Sequence, residues 1–182
     1  MPMIHLFGAS GAGTSTLGRA IADAYGCVHL DTDDFFWMPT DPPFTTTRPV
    51  PERLALIADA ADRAGRCVLS GSLCGWGNPL VPRFDLAIWV QTPQEIRIGR
   101  LREREFRRFG DRILPDGDMH DNHKTFIEWA RSYDTAGPDS RSRALHAMWA
   151  DALPCPVMVS DGSAPLPEQL DRLAGHLLRI LG

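Results

Sequence analysis

Nowhere in the 182 residues does an apolar run approach the ~18 consecutive residues of a membrane-spanning helix, so such a span is excluded. General positive charge is missing as well. The formal net charge is -4, which leaves no overall basic field to hold nucleic acid or an anionic bilayer. The four cysteines, Cys27, Cys67, Cys74 and Cys155, share no metal-ligand spacing, and three of them lie in apolar, strand-like runs. They read as reduced thiols packed as small core residues. Cys74 sits in a glycine-rich loop, but nothing marks it as a nucleophile. No repeat, low-complexity tail or linker interrupts the chain, and no charged start followed by an apolar stretch opens it. A single cytoplasmic domain over residues 1–182, monomeric or homodimeric, is the expectation.

What is present alternates between two periodicities. Short apolar runs at Met3–Phe7, Cys27–Leu30, Cys67–Leu69, Asp85–Val90 and Val157–Val159 read as strands. Between them, Thr16–Ala24, Glu52–Ala64, Pro93 to about Phe109, His123–Tyr133, Ser142–Ala152 and Pro165–Leu181 carry apolar residues at helical spacing. Thr92 with Pro93 is expected to cap the helix after the fourth strand. Pro39–Pro51, rich in proline and threonine, reads as a loop or partly ordered arm. Strands alternating with helices predict an α/β chain whose parallel sheet is covered on both faces.

The first strand runs into Gly8-Ala9-Ser10-Gly11-Ala12-Gly13-Thr14-Ser15-Thr16 and then a helix. This is the phosphate-binding pattern G-x-x-x-x-G-K-[ST] at every fixed position except the lysine, where Thr14 stands. The glycines let successive N–H groups curl around an anion, and the helix start adds its own unpaired N–H groups and positive dipole end. Ser15 holds the position whose hydroxyl reaches Mg²⁺. A lone glycine-rich turn is weak evidence, but a strand before it and an amphipathic helix after it favour phosphate. Threonine cannot supply the lysine's charge. Either transfer is slow, or an arginine elsewhere fills the deficit, and the abundance of arginines favours the latter.

The second strand ends in Leu30-Asp31-Thr32-Asp33-Asp34-Phe35, where a parallel sheet presents its ligand crevice. Alternation along an extended chain would put Asp31 and Asp33 on one side, a pair suited to Mg²⁺ or an acceptor hydroxyl. Phe36, in the aromatic run that follows, could stack a base or simply cover the core. Arg48 could grip an acceptor phosphate or be solvated. The exit of the third strand, Ser70-Gly71-Ser72, is a second donor-rich turn on the same edge, with Ser70 where an acid is usual. After the fourth strand, Arg100, Arg104 and Arg108 recur every four residues and form one helical stripe. Part of this basic run could be an ordinary ion-paired face, since exposed pairs are common and energetically minor. It precedes the polar segment Gly110–Asp121, where a mobile lid would begin, and lid arginines stabilise a transferring phosphoryl group.

The loop GASGAGTST, the segments LDTDDFFW, VLSGSLCGWG and IRIGRLRERE, and the tail VSDGSAPLPEQLDRL together resemble the adenylate kinase and shikimate kinase branch of P-loop kinases, especially its topology-modulation-protein-like members. The resemblance spans almost the whole chain. It implies a three-layer P-loop NTPase fold, with a five-stranded parallel sheet of order 2-3-1-4-5 and a small lid. It implies an acceptor-binding region at about 32–65, a lid at about 104–125, and direct transfer of the γ-phosphoryl of ATP·Mg²⁺ to a nucleoside monophosphate or similar small acceptor. On that likeness Arg100 and Arg104 match the arginine pair that opens the lid, Arg131 one that follows it, and Asp161, Gly162 and Ser163 flank the adenine. Thr14 and Ser70 depart from the family pattern. The alternative they allow is a nucleotide-binding regulatory protein with weak or no transfer.

Overall fold

The computed structural model describes residues 1–182. Its centre is β1 (Met3–Gly8), a strand buried at every position, as a strand covered on both faces must be. It pairs in parallel with β3 (Cys67–Ser70) on one side and β4 (Leu86–Gln91) on the other. Parallel β2 (Val28–Asp31) and β5 (Val157–Asp161) complete a five-stranded sheet of order β2-β3-β1-β4-β5. The expected sheet order is the observed one.

Side chains along β1 point alternately to the two faces, and each face is closed by its own helices. Ile4 and Leu6 join Leu17 and Ile21 of α1 (Thr14–Tyr25) with Leu173, Leu177 and Leu181 of α7 (Leu166–Leu181). Each such buried aliphatic side chain contributes roughly 1.5–3 kcal/mol. On the opposite face Met3 packs with Ile57 and Ala61 of α3 (Val50–Ala64), and Trp149 of α6 (Arg143–Asp151) lies against the same cluster. His5 also points this way, stacked on Phe84 at 4.7 Å and Phe7 at 5.8 Å between ring centres. α4 (Gln94–Phe109) and α5 (His120–Ser132) pack on each other through Ile98, Leu101, Ile127 and Ala130. No helix is long and apolar enough to cross a membrane.

Two local expectations are corrected. The chain after Asp31 is not extended: Thr32–Phe36 forms a short helix, α2, with Asp31 as its N-cap accepting from the Asp33 N–H at 3.1 Å. Same-side alternation therefore does not relate Asp31 to Asp33, and the cap does. At the start of α4 the N-cap is Pro93, with no side-chain cap. The Thr92 hydroxyl instead donates to the carbonyl of Ala12 at 2.8 Å, because the end of β4 lies beside the loop that leaves β1.

Candidate active site

The loop between β1 and α1 has the conformation that its glycines permit. Gly11 (φ 78°) and Gly13 (φ 103°) lie in the left-handed region that side chains disfavour. A Cβ at Gly8 would run into the Val90 carbonyl, and one at Gly11 into the Arg97 carbonyl. Gly13 is the N-cap of α1 and offers no side-chain acceptor. Consequently the N–H groups of Gly11, Gly13, Thr14, Ser15 and Thr16 donate to nothing in the protein; within the turn Ala12 N–H bonds Ala9 and Leu17 N–H bonds Gly13. A ring of unpaired donors at a helix N-terminus is an anion cradle.

Around this cradle stand acids and arginines. Ser15 Oγ donates to Asp31 Oδ2 at 2.5 Å, so hydroxyl and carboxylate are already joined. Asp33, open to the cleft, has its pKa pushed up by desolvation against the cleft wall and by the charge of Asp31. The positive charges of Arg141, Arg104 and Arg108 oppose that shift. Arg100 reaches the loop itself: its Nη1 lies 3.4 Å from the Ala12 carbonyl and is the group nearest a Cβ built on Gly13. Arg104 is partly tied to Glu105 at 3.1 Å, while Arg108 is exposed. No cluster of three or more His, Cys, Asp or Glu side chains could hold a metal unaided. Ser15 and Asp31 nonetheless suit Mg²⁺, which is commonly held by one or two carboxylates plus substrate phosphates.

The acceptor-side residues divide. Phe36 lies under the guanidinium of Arg53, 3.8 Å from its ring centre, with Trp76 on the same cation at 5.3 Å. Arg53 itself is buried and uses only its Nε, on the Arg48 carbonyl at 2.5 Å. Arg48 is committed to the fold through the Phe35 carbonyl at 3.1 Å and Glu52 at 2.5 Å, though it still borders a cavity of about 340 Å³ lined by Asp33, Trp37 and Phe44. Gly71 (φ 115°) lets the β3 exit pass against Thr32, where a Cβ would overlap the threonine hydroxyl. Ser72, expected among the cleft donors, turns inward: its hydroxyl meets His146 Nε2 at 2.9 Å, and Tyr133 meets His146 Nδ1 at 2.7 Å. Ser70 is occupied by His29 Nε2 at 2.8 Å. Arg131 is exposed at the end of α5 with no hydrogen bond from its side chain. Behind β5, Gly162 packs on Thr92 and the Ala12 carbonyl. Asp161 is held below the usual carboxylate range by the Ser163 hydroxyl and N–H, at 2.6 and 2.9 Å. That turn therefore adjoins the phosphate loop.

Sequence reasoning missed three arginines as site residues. Arg97 is fully buried and bonds the carbonyls of Thr92, Ala130 and Ser10 and the carboxylate of Asp134. Arg141, between α5 and α6, donates to Ser10 Oγ at 3.0 Å. Arg53 could have been found from its place in the first turn of α3, five residues beyond Arg48, but Arg141 carried no local signal.

No family model matches the chain. It is 44% identical over 174 residues to the uncharacterized protein YqaC of Bacillus subtilis, covering 96% of each. A cytidylate kinase of Pyrococcus horikoshii is 27% identical over 113 residues, 57% of each chain. Among solved structures, a shikimate kinase from Bacteroides thetaiotaomicron superposes with a TM-score of 0.55 at 17% identity, over 97% of this chain and 98% of that one. A sugar kinase from Janibacter sp. HTCC2649 gives 0.54 at 18% identity, over 99% and 95%. Sheet order and enclosing helices are those of the P-loop kinase fold of these neighbours.

Proposed function

We propose that this chain, which belongs to the family of Bacillus subtilis YqaC, moves the γ-phosphoryl group of ATP to a small anionic acceptor, a nucleoside monophosphate or a molecule of similar size. The observation that carries this reading is the set of unpaired N–H groups of Gly11, Gly13, Thr14, Ser15 and Thr16 around left-handed Gly11 and Gly13. The kinase fold of the structural neighbours and the partial likeness to a cytidylate kinase support the reaction class.

In this reading the loop residues Gly8, Ser10, Gly11, Ala12, Gly13, Thr14, Ser15 and Thr16 bind the phosphates, and the Asp161-Gly162-Ser163 turn borders the base. Mg²⁺, when bound with the nucleotide, would neutralise phosphate charge, with Ser15 and Asp31 as its protein ligands. Where the accepting group is a hydroxyl, Asp33 takes its proton; a monophosphate attacks through an oxygen that carries none. The acceptor oxygen bonds to the γ-phosphorus as the bond to the β–γ bridging oxygen breaks, and that electron pair leaves with ADP. Arg100, Arg104 and Arg108 neutralise the charge that develops. The region 32–65 holds the acceptor, with Arg53 on Phe36 offering its two unbonded amino groups to an anionic substituent. The segment 104–125 acts as a lid that excludes water. Arg112 of that segment already bonds Asp41 of the acceptor side at 2.8 Å.

A coupled ATP assay against nucleoside monophosphates, shikimate, gluconate and other small sugar acids tests the proposal. Stimulation of ADP release by one acceptor is the expected result, abolished in Asp33→Asn where that acceptor reacts through a hydroxyl. If ATP binds but no acceptor stimulates turnover, transfer is rejected and the second reading stands. That second reading, a nucleotide-binding regulatory protein, is favoured by one feature, Thr14 in the lysine position.

A further inference from the structure

The phosphate cradle has a charge deficit, and the chain has little with which to fill it in the usual way. Its only lysine, Lys124, is exposed on α5. The charge must come from arginine, and the arginines at the loop are bonded very differently. Arg97 has its guanidinium fully engaged by carbonyls and Asp134, so it holds the loop from behind. Arg104 is partly paired with Glu105. Arg100 and Arg108 are exposed.

Arg141 fits none of these descriptions. Its Nη2 donates to Ser10 Oγ at 3.0 Å, in the middle of the cradle. Its Nε is buried and has no hydrogen-bond partner. No carboxylate forms an ion pair with it, while its guanidinium carbon lies 5.1 Å from the ring centre of Trp129. The neighbouring backbone is firmly held: buried Ser142 bonds the Gly137 carbonyl at 2.8 Å and caps α6, and Arg143 N–H bonds Tyr133. A desolvated cation fixed in place without a bonded counter-ion is costly to a fold, unless an anion completes it. Desolvation lowers its pKa, and Asp33 opposes the shift. A buried, unsatisfied donor on a guanidinium at an anion cradle points to the anion as its missing partner.

We infer that Arg141 is the cation that meets the terminal phosphates of the nucleotide on this loop, standing in for the lysine that Thr14 replaces. The inference rests on the phosphotransferase reading and assigns a catalytic residue within it. The guanidinium can keep Ser10 with one amino group and turn its remaining donors to phosphate oxygens, where planar, paired contacts are strongest. It is anchored beside α6 rather than on the lid, so this charge stands at the loop independently of closure.

Calorimetric titration of ATP and ADP with Mg²⁺, and turnover with the best acceptor, should be measured on the full chain and three variants. Arg141→Ala should weaken ATP by about tenfold to a hundredfold, the value of a charged hydrogen bond, and ADP by less. Its kcat should fall by about a hundredfold or more. Adding Thr14→Lys to Arg141→Ala should recover at least about tenfold of the ATP affinity, which a mere loop support would not do. Arg141→Gln, which keeps a donor for Ser10 without charge, should behave as the alanine variant and serves if alanine prevents folding. Unchanged ATP affinity and turnover in folded variants overturns the assignment and leaves the phosphotransferase reading intact. Equal losses for ATP and ADP that Thr14→Lys does not repair also overturn it, since they describe a structural role. A wild-type chain that binds neither nucleotide sinks both.

Discussion

Replacing Arg97 by alanine should loosen the phosphate loop from behind, and the size of the effect follows from its contacts. The residue has no exposed surface. It bonds the carbonyls of Thr92 at 3.0 Å, Ala130 at 3.2 Å and Ser10 at 3.5 Å, and the Asp134 carboxylate at 2.5 Å. Breaking a buried ion pair by removing one partner costs about 3–5 kcal/mol. Asp134 keeps 30% of its side chain exposed, so water recovers part of its loss, and about 3 kcal/mol is the expected destabilisation. For a chain of this length the melting temperature should fall by about 6–12 °C. Thermal unfolding at pH 7 followed by circular dichroism reads this directly, with the urea midpoint as a second measure. Arg131→Ala is the control, an exposed arginine without a side-chain hydrogen bond, expected within about 0.5 kcal/mol of wild type. If Arg97→Ala melts within about 2 °C of wild type, a shift worth at most about 1 kcal/mol, the buried pair is not holding the loop and the argument fails.

The other expectations concern protons and backbone. Asp33 has a raised pKa, so its proton-accepting form is lost at a higher pH than for a free aspartate; the acid limb of kcat/KM should lie above ~4 and rise further in Arg104→Ala, because Arg104 holds that pKa down. An acid limb that stays put in that variant would count against Asp33 as the base. His5 and His146 both have pKa values lowered from 6.5 to about 3 by burial, so the unfolded chain binds protons that the folded chain does not across that window. Stability should be full above pH 6.5 and fall as the pH drops toward 3, by up to about 1.4 kcal/mol per pH unit for each histidine. Urea unfolding from pH 7 to 4 should show His5→Phe with a shallower slope than wild type, and an equal slope would refute the assignment. Gly13→Ala and Gly65→Ala place a side chain at φ 103° and 70° without a steric clash, so each should cost about 1–2 kcal/mol. Only Gly13→Ala should also weaken ATP binding, by about tenfold or more, since only its methyl enters the cradle; equal ATP affinities in the two variants would contradict the loop's role.

The sheet was legible because its signals are local. Apolar runs at Met3–Phe7 and Cys67–Leu69 have the length and flanking breaks of strands buried on both faces, and the helix faces led by Leu17 and Ile21 or by Leu173 and Leu177 repeat at the spacing that covers them. The order of strands came from resemblance rather than periodicity, since pairing such as Ile4 with Val68 leaves no mark in either segment. What failed was conformation over four or five residues. Thr32–Phe36 turns into a helix because the Asp31 carboxylate caps it, and the sequence LDTDD supports that cap as readily as an extended run. The place of Thr92 before Pro93 suits a cap, but a hydroxyl goes to whichever acceptor tertiary structure brings nearest, here Ala12.

The same distinction explains the site. Loop glycines, Ser15 and Asp31 were readable because phosphate binding requires them in fixed order along a strand-to-helix turn, and Ser15 does meet Asp31. Arginines obey no such order. The densest run of arginines lies on α4, yet density on a surface helix measures solvation as much as function, and the run is partly tied up in pairs such as Arg107 with Glu103. Arg141 stands 131 positions from the serine it touches, in a segment of serines and glycine with no periodicity of its own. Its importance lies in having no carboxylate bonded to it, a property of three-dimensional surroundings. A charge whose partner is a ligand leaves its trace in the folded chain as an unsatisfied donor, and that is why the strongest cation candidate at the loop emerged from burial and bonding rather than from composition.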